Sequence, residues 1–203
     1  MKSFFKYFLV AIIVTTLLPL SSCKKGANDP FLSLRSRSSR LEGTWKFSTQ
    51  TYNVTQISGN TNTTRDYTYD GNRIKLVKVT KIGNSAAVTD TSSYAYSETM
   101  EITKDNTFKE TIIQSGVTYL IEGNWAFLGA DKAADLKKKE AVVLHFTKYT
   151  FGPTVSTSGN TDNPSTWVLE ELSNKTMVIS KAESDIQDAT HSSITKGTVT
   201  YIQ

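Results

Sequence analysis

One cysteine and two histidines are all that this chain of 203 residues offers for thiol or imidazole chemistry. A lone cysteine cannot close a disulfide within the chain or build a cysteine metal site. The histidines, His145 and His191, stand far apart, so a zinc site is hard to assemble from them. Neither a Gly-x-Ser-x-Gly elbow nor a phosphate-cradling glycine loop occurs. The one adjacent acid pair, Glu170 and Glu171, would point its carboxylates to opposite faces of a strand, which is wrong for paired acid–base work. No catalytic residue, metal or cofactor is therefore expected. Strong charge is missing too. The formal balance is +4, from 23 Lys and Arg against 19 Asp and Glu, and Lys2 and Lys6 belong to the leader. Without those two, 21 cationic residues face 19 acids, for +2. That gives no argument for nucleic acid.

Long apolar runs are also absent, with one exception at the start. Lys2 and Lys6 precede an apolar stretch over 8–18, then small residues, then Leu20-Ser21-Ser22-Cys23. A charged start, an apolar core of this length and small residues before a cut describe a secretory signal peptide, here residues 1–22. The run is too short to span a bilayer core of about 30 Å, which needs about 20 residues. Cleavage would leave 203 less 22, or 181 residues, enough for one domain with a real core. Residues 23–40 are rich in Ser, Gly and basic side chains, with Asp29 the single acid, and read as a flexible tether. Phe31, Leu32 and Leu34 could instead dock on the domain that follows, 41–203.

That domain reads as strand throughout. Thr, Val, Ile, Tyr and Phe abound, and they fit a half-buried pleated surface. Val117, Tyr119, Ile121, Trp125 and Phe127 alternate with polar residues, and Val142, Leu144 and Phe146 share one face opposite His145 and Thr147. Nine strands are expected, near 43–57, 72–82, 93–104, 106–115, 117–128, 140–151, 165–173, 175–182 and 194–202. Tight turns at Lys104-Asp105-Asn106, Ser115-Gly116 and Ser173-Asn174-Lys175 make this an antiparallel meander. Two stretches, 57–71 and 152–165, read as long polar loops, and 129–140 offers a helical turn or two. Open sheet edges invite pairing with other chains, so the expected architecture is all-β, an up-and-down meander closed into a barrel of about eight or nine strands.

Two resemblances add to this. Small residues ending in Cys, with Leu three places before, resemble the lipobox of bacterial lipoproteins, which implies lipidation of Cys23 and anchoring to a membrane of the bacterial cell envelope. Leu41-Glu42-Gly43-Thr44-Trp45 resembles the Gly-x-Trp signature that opens the first lipocalin strand. Asp105-Asn106-Thr107-Phe108, Gly123-Asn124-Trp125 and a late strand from Trp167 to Leu172 follow in order. The whole is similar to lipocalin-like lipoproteins of Gram-negative bacteria. The resemblance implies a lipocalin-like barrel, a monomer anchored in the outer membrane, and a small apolar or amphipathic ligand.

Trp45, Phe47, Tyr119, Trp125, Phe127 and Trp167 are the candidate ligand-binding residues. They line one interior or simply fill it. A filled interior would suit a non-enzymatic interaction domain acting through its loops. Counting nine strands, the links at 58–71 and 129–139 share the end of the barrel opposite Trp45. A mouth is then expected between 60–69 and 131–139, with Lys137, Lys138 and Lys139 at its rim.

Overall fold

The structure is a computed structural model that describes residues 28–30, 34–152, 154–157, 164–188 and 190–203. The leader, Cys23, Phe31 and Leu32 lie outside the described residues. Within them are one short helix, α1 (Arg37–Leu41), and eleven strands. The strands are β1 (Gly43–Ser58), β2 (Thr61–Tyr69), β3 (Arg73–Ile82), β4 (Val88–Ile102), β5 (Thr107–Gln114) and β6 (Val117–Phe127). After them come β7 (Ala141–Phe151), β8 (Thr154–Thr157), β9 (Ser165–Leu172), β10 (Thr176–Asp188) and β11 (His191–Ile202).

All pairings are antiparallel, in the order β6-β5-β4-β3-β2-β1-β11-β10-β9-β7-β8, and β6 also pairs β7. The meander therefore closes on itself, and the chain is an all-β barrel. β1 changes neighbours along its length. Its first residues, Gly43 to Lys46, pair with Ile102 to Thr99 of β4, while Thr51 to Ser58 pair with β2. The β2–β3 hairpin is thus wedged between β1 and β4 in the upper part only. Eight strands close the base, and ten form the wider ring above it.

Two strands lie where long polar loops were expected. β2 occupies most of 57–71, and its Thr and Tyr residues extend the sheet although few apolar side chains accompany them. Ser58-Gly59-Asn60-Thr61 supplies a two-residue turn for the β1–β2 hairpin. The short β8 lies within 152–165 and pairs with the end of β7. In 129–140 the expected helical turns are replaced by a bridge between Asp131 and Leu136, where Asp131 Oδ1 accepts from the amides of Ala133 and Ala134. The tight turns stand as read: Asn106 and Ser115 adopt positive φ of 62° and 52°.

The extra strand reverses the direction of everything after it. The links 103–106, 128–140 and 173–175 lie at the Trp45 end and 70–72 points toward it from partway up, while 59–60, 83–87 and 115–116 lie at the other end. The mouth expected between 60–69 and 131–139 is therefore ruled out, since the two stretches do not flank one opening. One missed hairpin strand flips the parity of a meander.

The base holds the core. Trp45, Met100, Phe108, Trp125, Leu144, Trp167, Leu169, Met177, Ile179 and Tyr201 are buried together there. Their outward neighbours alternate in charge across four strands: Glu101 faces Lys109, Lys109 faces Glu122, and Glu122 pairs with Lys148 at 2.6 Å. Gly123 is required beside the bulge that β7 carries at Thr147 against β6. A Cβ there would lie 2.1 Å from the His145 carbonyl oxygen and 2.7 Å from the Phe108 ring.

The described part of the segment read as a tether is docked beneath this core. Asp29, Arg37 and Arg40 are buried. One Asp29 oxygen accepts from the Leu172 amide at 2.8 Å, and the other meets the guanidiniums of Arg37 and Arg40. Arg40 also donates to the Leu172 carbonyl at 2.5 Å, and Arg37 to that of Leu169 at 3.3 Å. Ser36 caps α1 by accepting from the Ser39 amide. Composition suggested a solvated spacer, but two arginines that share one carboxylate and donate to the carbonyls of β9 can be buried with it.

Candidate functional site

The six aromatic candidates divide between core and cleft. Trp45 is fully buried, its Nε1 donating to the Leu41 carbonyl at 2.8 Å. Trp125 Nε1 donates to the Thr103 carbonyl at 3.0 Å, and Phe127 packs edge-on against its ring. Phe127 is half-buried with Lys139 over its other side. Trp167 stacks on Tyr201 with 6.1 Å between ring centres. These four belong to the base. Phe47 and Tyr119 reach higher and line cavities.

Above the packed base the described side chains leave space inside the barrel. A mainly apolar cavity of about 400 Å³ lies against β4–β8, lined by Ile112, Tyr119, Ile121, Tyr149 and Phe151. Phe151 there is 51% exposed, large for an inward aromatic. A more polar cavity of about 270 Å³ lies beside it, walled by Phe47, Tyr52, Tyr67 and Tyr94. The two cavities meet at Tyr96 and Ile112, which line both.

The floor of the polar cavity is a carboxyl pair. Glu98 of β4 and Glu110 of β5 sit two residues off register, as diagonal neighbours on one face, since Met100 is opposite Glu110 and Glu98 opposite Ile112. Both are buried. Glu98 accepts from the Tyr96 and Tyr201 hydroxyls, each at 2.5 Å, one on each oxygen. Burial first, then the Glu98 charge and the hydrogen bond between the two carboxyls, push the Glu110 pKa well above the usual range, while Lys181 pulls it down. Crowding beside a second carboxyl away from solvent thus favours the protonated form of Glu110, which can hydrogen-bond to Glu98. Burial and the same carboxylates raise the Tyr96 and Tyr201 pKa values, which keeps both phenols as donors.

Lys181 of β10 completes the layer. Its Nζ stands 5.4 Å above the Trp167 ring, and it lines the same cavity. The Trp167 indole N–H is buried without an acceptor among the described residues. Glu98 is held by two phenols and a carboxyl, which suits it to fixing the layer. Glu110 and Lys181 are then the groups placed to meet a polar atom entering from above. The arrangement can donate and accept hydrogen bonds and can exchange one proton.

Sequence reasoning missed this pair. It sought adjacent acids and found Glu170 and Glu171, of which Glu170 accepts from the Ser180 hydroxyl at 2.7 Å. The available signal was acids on an inward face: Glu98 shares its parity with Met100 and Ile102, and Glu110 with Phe108. His145 lies on the outward parity of β7, opposite Asn124, as its position implied. Comparison with protein-family models and with curated proteins returns no match for this chain.

Proposed function

We propose that the protein is a lipid-anchored lipoprotein of the bacterial cell envelope, held by acyl chains on Cys23, whose barrel binds a small amphipathic molecule without transforming it. The observation that carries this reading is the meeting of two cavities of opposite character above a packed base. The apolar part of a ligand would fill the 400 Å³ compartment beside Ile112, Tyr119 and Ile121. Its polar head would reach Glu110 and Lys181 in the 270 Å³ compartment. Together these volumes fall in the range of small-molecule sites, which are mostly apolar with a few convergent polar groups. The resemblance to lipocalin-like lipoproteins supports the same reading. The filled base alone would suit an interaction domain with no ligand, and the space above it is what favours binding.

Native mass spectrometry of the protein purified from its own host tests this directly. A co-purifying small molecule is expected on the parent and should be missing from Ile112→Trp, which fills the junction of the cavities. A parent without added mass, or a variant that retains it, would overturn the binding role. Anchoring is tested separately: Cys23→Ser should abolish palmitate incorporation and release the protein from membranes.

A further inference from the structure

Asp29 is pinned to the base of the barrel by the Leu172 amide and two buried arginines, and Asn28 donates from its amide to the Glu170 carbonyl at 3.0 Å. Cys23 stands six residues before Asp29. Six residues span at most about 20 Å even when fully extended. β1 alone, with 16 residues, runs roughly 50 Å from the base to the far turn at about 3.3 Å per residue. If Cys23 carries the membrane anchor, as the reading above holds, the bilayer surface must lie near the Trp45 end and not the other.

The chemistry of that end fits a head-group surface. Lys104, Lys132, Lys137, Lys138 and Lys175 are all exposed on its links. Two acids there are turned inward to backbone: Asp131 accepts from two amides of its own turn, and Glu140 from the Lys137 amide at 2.6 Å. Asp105 and Asp135 remain outward at this end, so the lysines prevail locally, chiefly around Lys137 and Lys138. Lysines near an anionic leaflet are attracted to it over about a Debye length.

We propose that the closed base of the barrel, carrying Lys132, Lys137, Lys138 and Lys175, lies on the anionic head groups of the membrane that holds Cys23. The cleft, on the other side of the core, then faces away from that membrane. Ligand would be exchanged with the aqueous side or with a partner there, not drawn from the anchoring leaflet.

The test uses full-length lipidated protein in vesicles of phosphatidylethanolamine and phosphatidylglycerol containing a rhodamine-labelled lipid. With Cys23 acylated, a cysteine placed by Ala133→Cys at the base or Ser85→Cys at the far turn is the one thiol open to a donor dye. Energy transfer to the vesicle surface should be several-fold stronger from position 133 than from position 85. Equal transfer, or stronger transfer from 85, in protein that floats with the vesicles would overturn the orientation and leave the anchor reading standing. Protein that is unacylated and fails to float would overturn the anchor reading, and this proposal with it. Adding Lys137→Glu and Lys138→Glu should reduce transfer from position 133 by about twofold. Unchanged transfer would overturn the head-group contact.

Discussion

The lower and upper halves of this barrel are built from the same strands and obey different rules. Below, β1, β4, β6 and β7 alternate apolar and polar residues, and the inward set is buried as one cluster. Above, β1 to β4 carry Thr, Ser, Asn and Lys on both faces, and the first six residues of β4 are all exposed. The ladder of β1 with β11 nevertheless runs from Lys46 to Ser58, with one register shift near Thr49. Backbone pairing and β-branched side chains thus extend a sheet well past the point where its core stops. Stability concentrates where side chains interlock, and the ligand cleft sits where they do not, as expected of regions that must open and fill.

The comparison would break first at the base. Trp45→Ala should cost about 3–5 kcal/mol, the usual loss for a large buried aromatic. A shift of only a degree or two in the melting temperature of the Cys23→Ser protein would mean that the base is not the stabilising half. Asp29→Ala should come next, at about 3 kcal/mol, because it strands two buried guanidiniums rather than because the ion pair is strong. Urea unfolding reads this, and a loss below half that figure would show the docked segment to be peripheral. Gly123→Ala should cost about 2 kcal/mol by forcing β6 and β7 apart at the bulge. Melting at the parent temperature would mean that the close approach of β6 and β7 relaxes without strain.

At the boundary between the halves the effect depends on pH. Glu110 holds its proton more tightly folded than unfolded, so its contribution to stability is complete below the unfolded carboxyl range, about 4.3. It is lost as pH rises from there toward the raised folded value. Glu110→Gln keeps a donor for Glu98 and removes the proton loss. Thermal melts should therefore match the parent near pH 4 and exceed it increasingly toward pH 8. A constant offset across that range would sink the protonated Glu110. In the upper half the expected effect is smallest. Ile82→Ser, at a residue 58% exposed, should change stability by no more than about 0.5 kcal/mol in denaturant unfolding. A large loss there would erase the distinction between the halves.

Particular residues show how far the sequence could be read. Trp45, Trp125 and Trp167 were recognisable as one inward set, and Ser115-Gly116 as a turn, because alternation and turn chemistry act over a few neighbouring residues. β2 was not recognised. Its partners across the ladder, Thr51 to Ser58 on one side and Ile74 to Ile82 on the other, are what make a polar stretch a strand. Lys137, Lys138 and Lys139 were placed at a mouth for the same reason, since an error of one strand carries to every later link. Asp29 looked like the lone acid of a spacer because nothing local tells it that Arg37, Arg40 and the end of β9 will enclose it.

The sequence by itself determined the class of the fold, the tight turns and the inward parity of the base, since the pleat sorts side chains two by two along the chain. Only the tertiary structure decided which end carries which link, that the core stops halfway up the barrel, and that Glu98, Glu110 and Lys181 meet above it. Those three lie on β4, β5 and β10, and their meeting depends on register and closure around the whole ring. Such distances are set by the sum of all the pairings, and no short stretch of residues contains them.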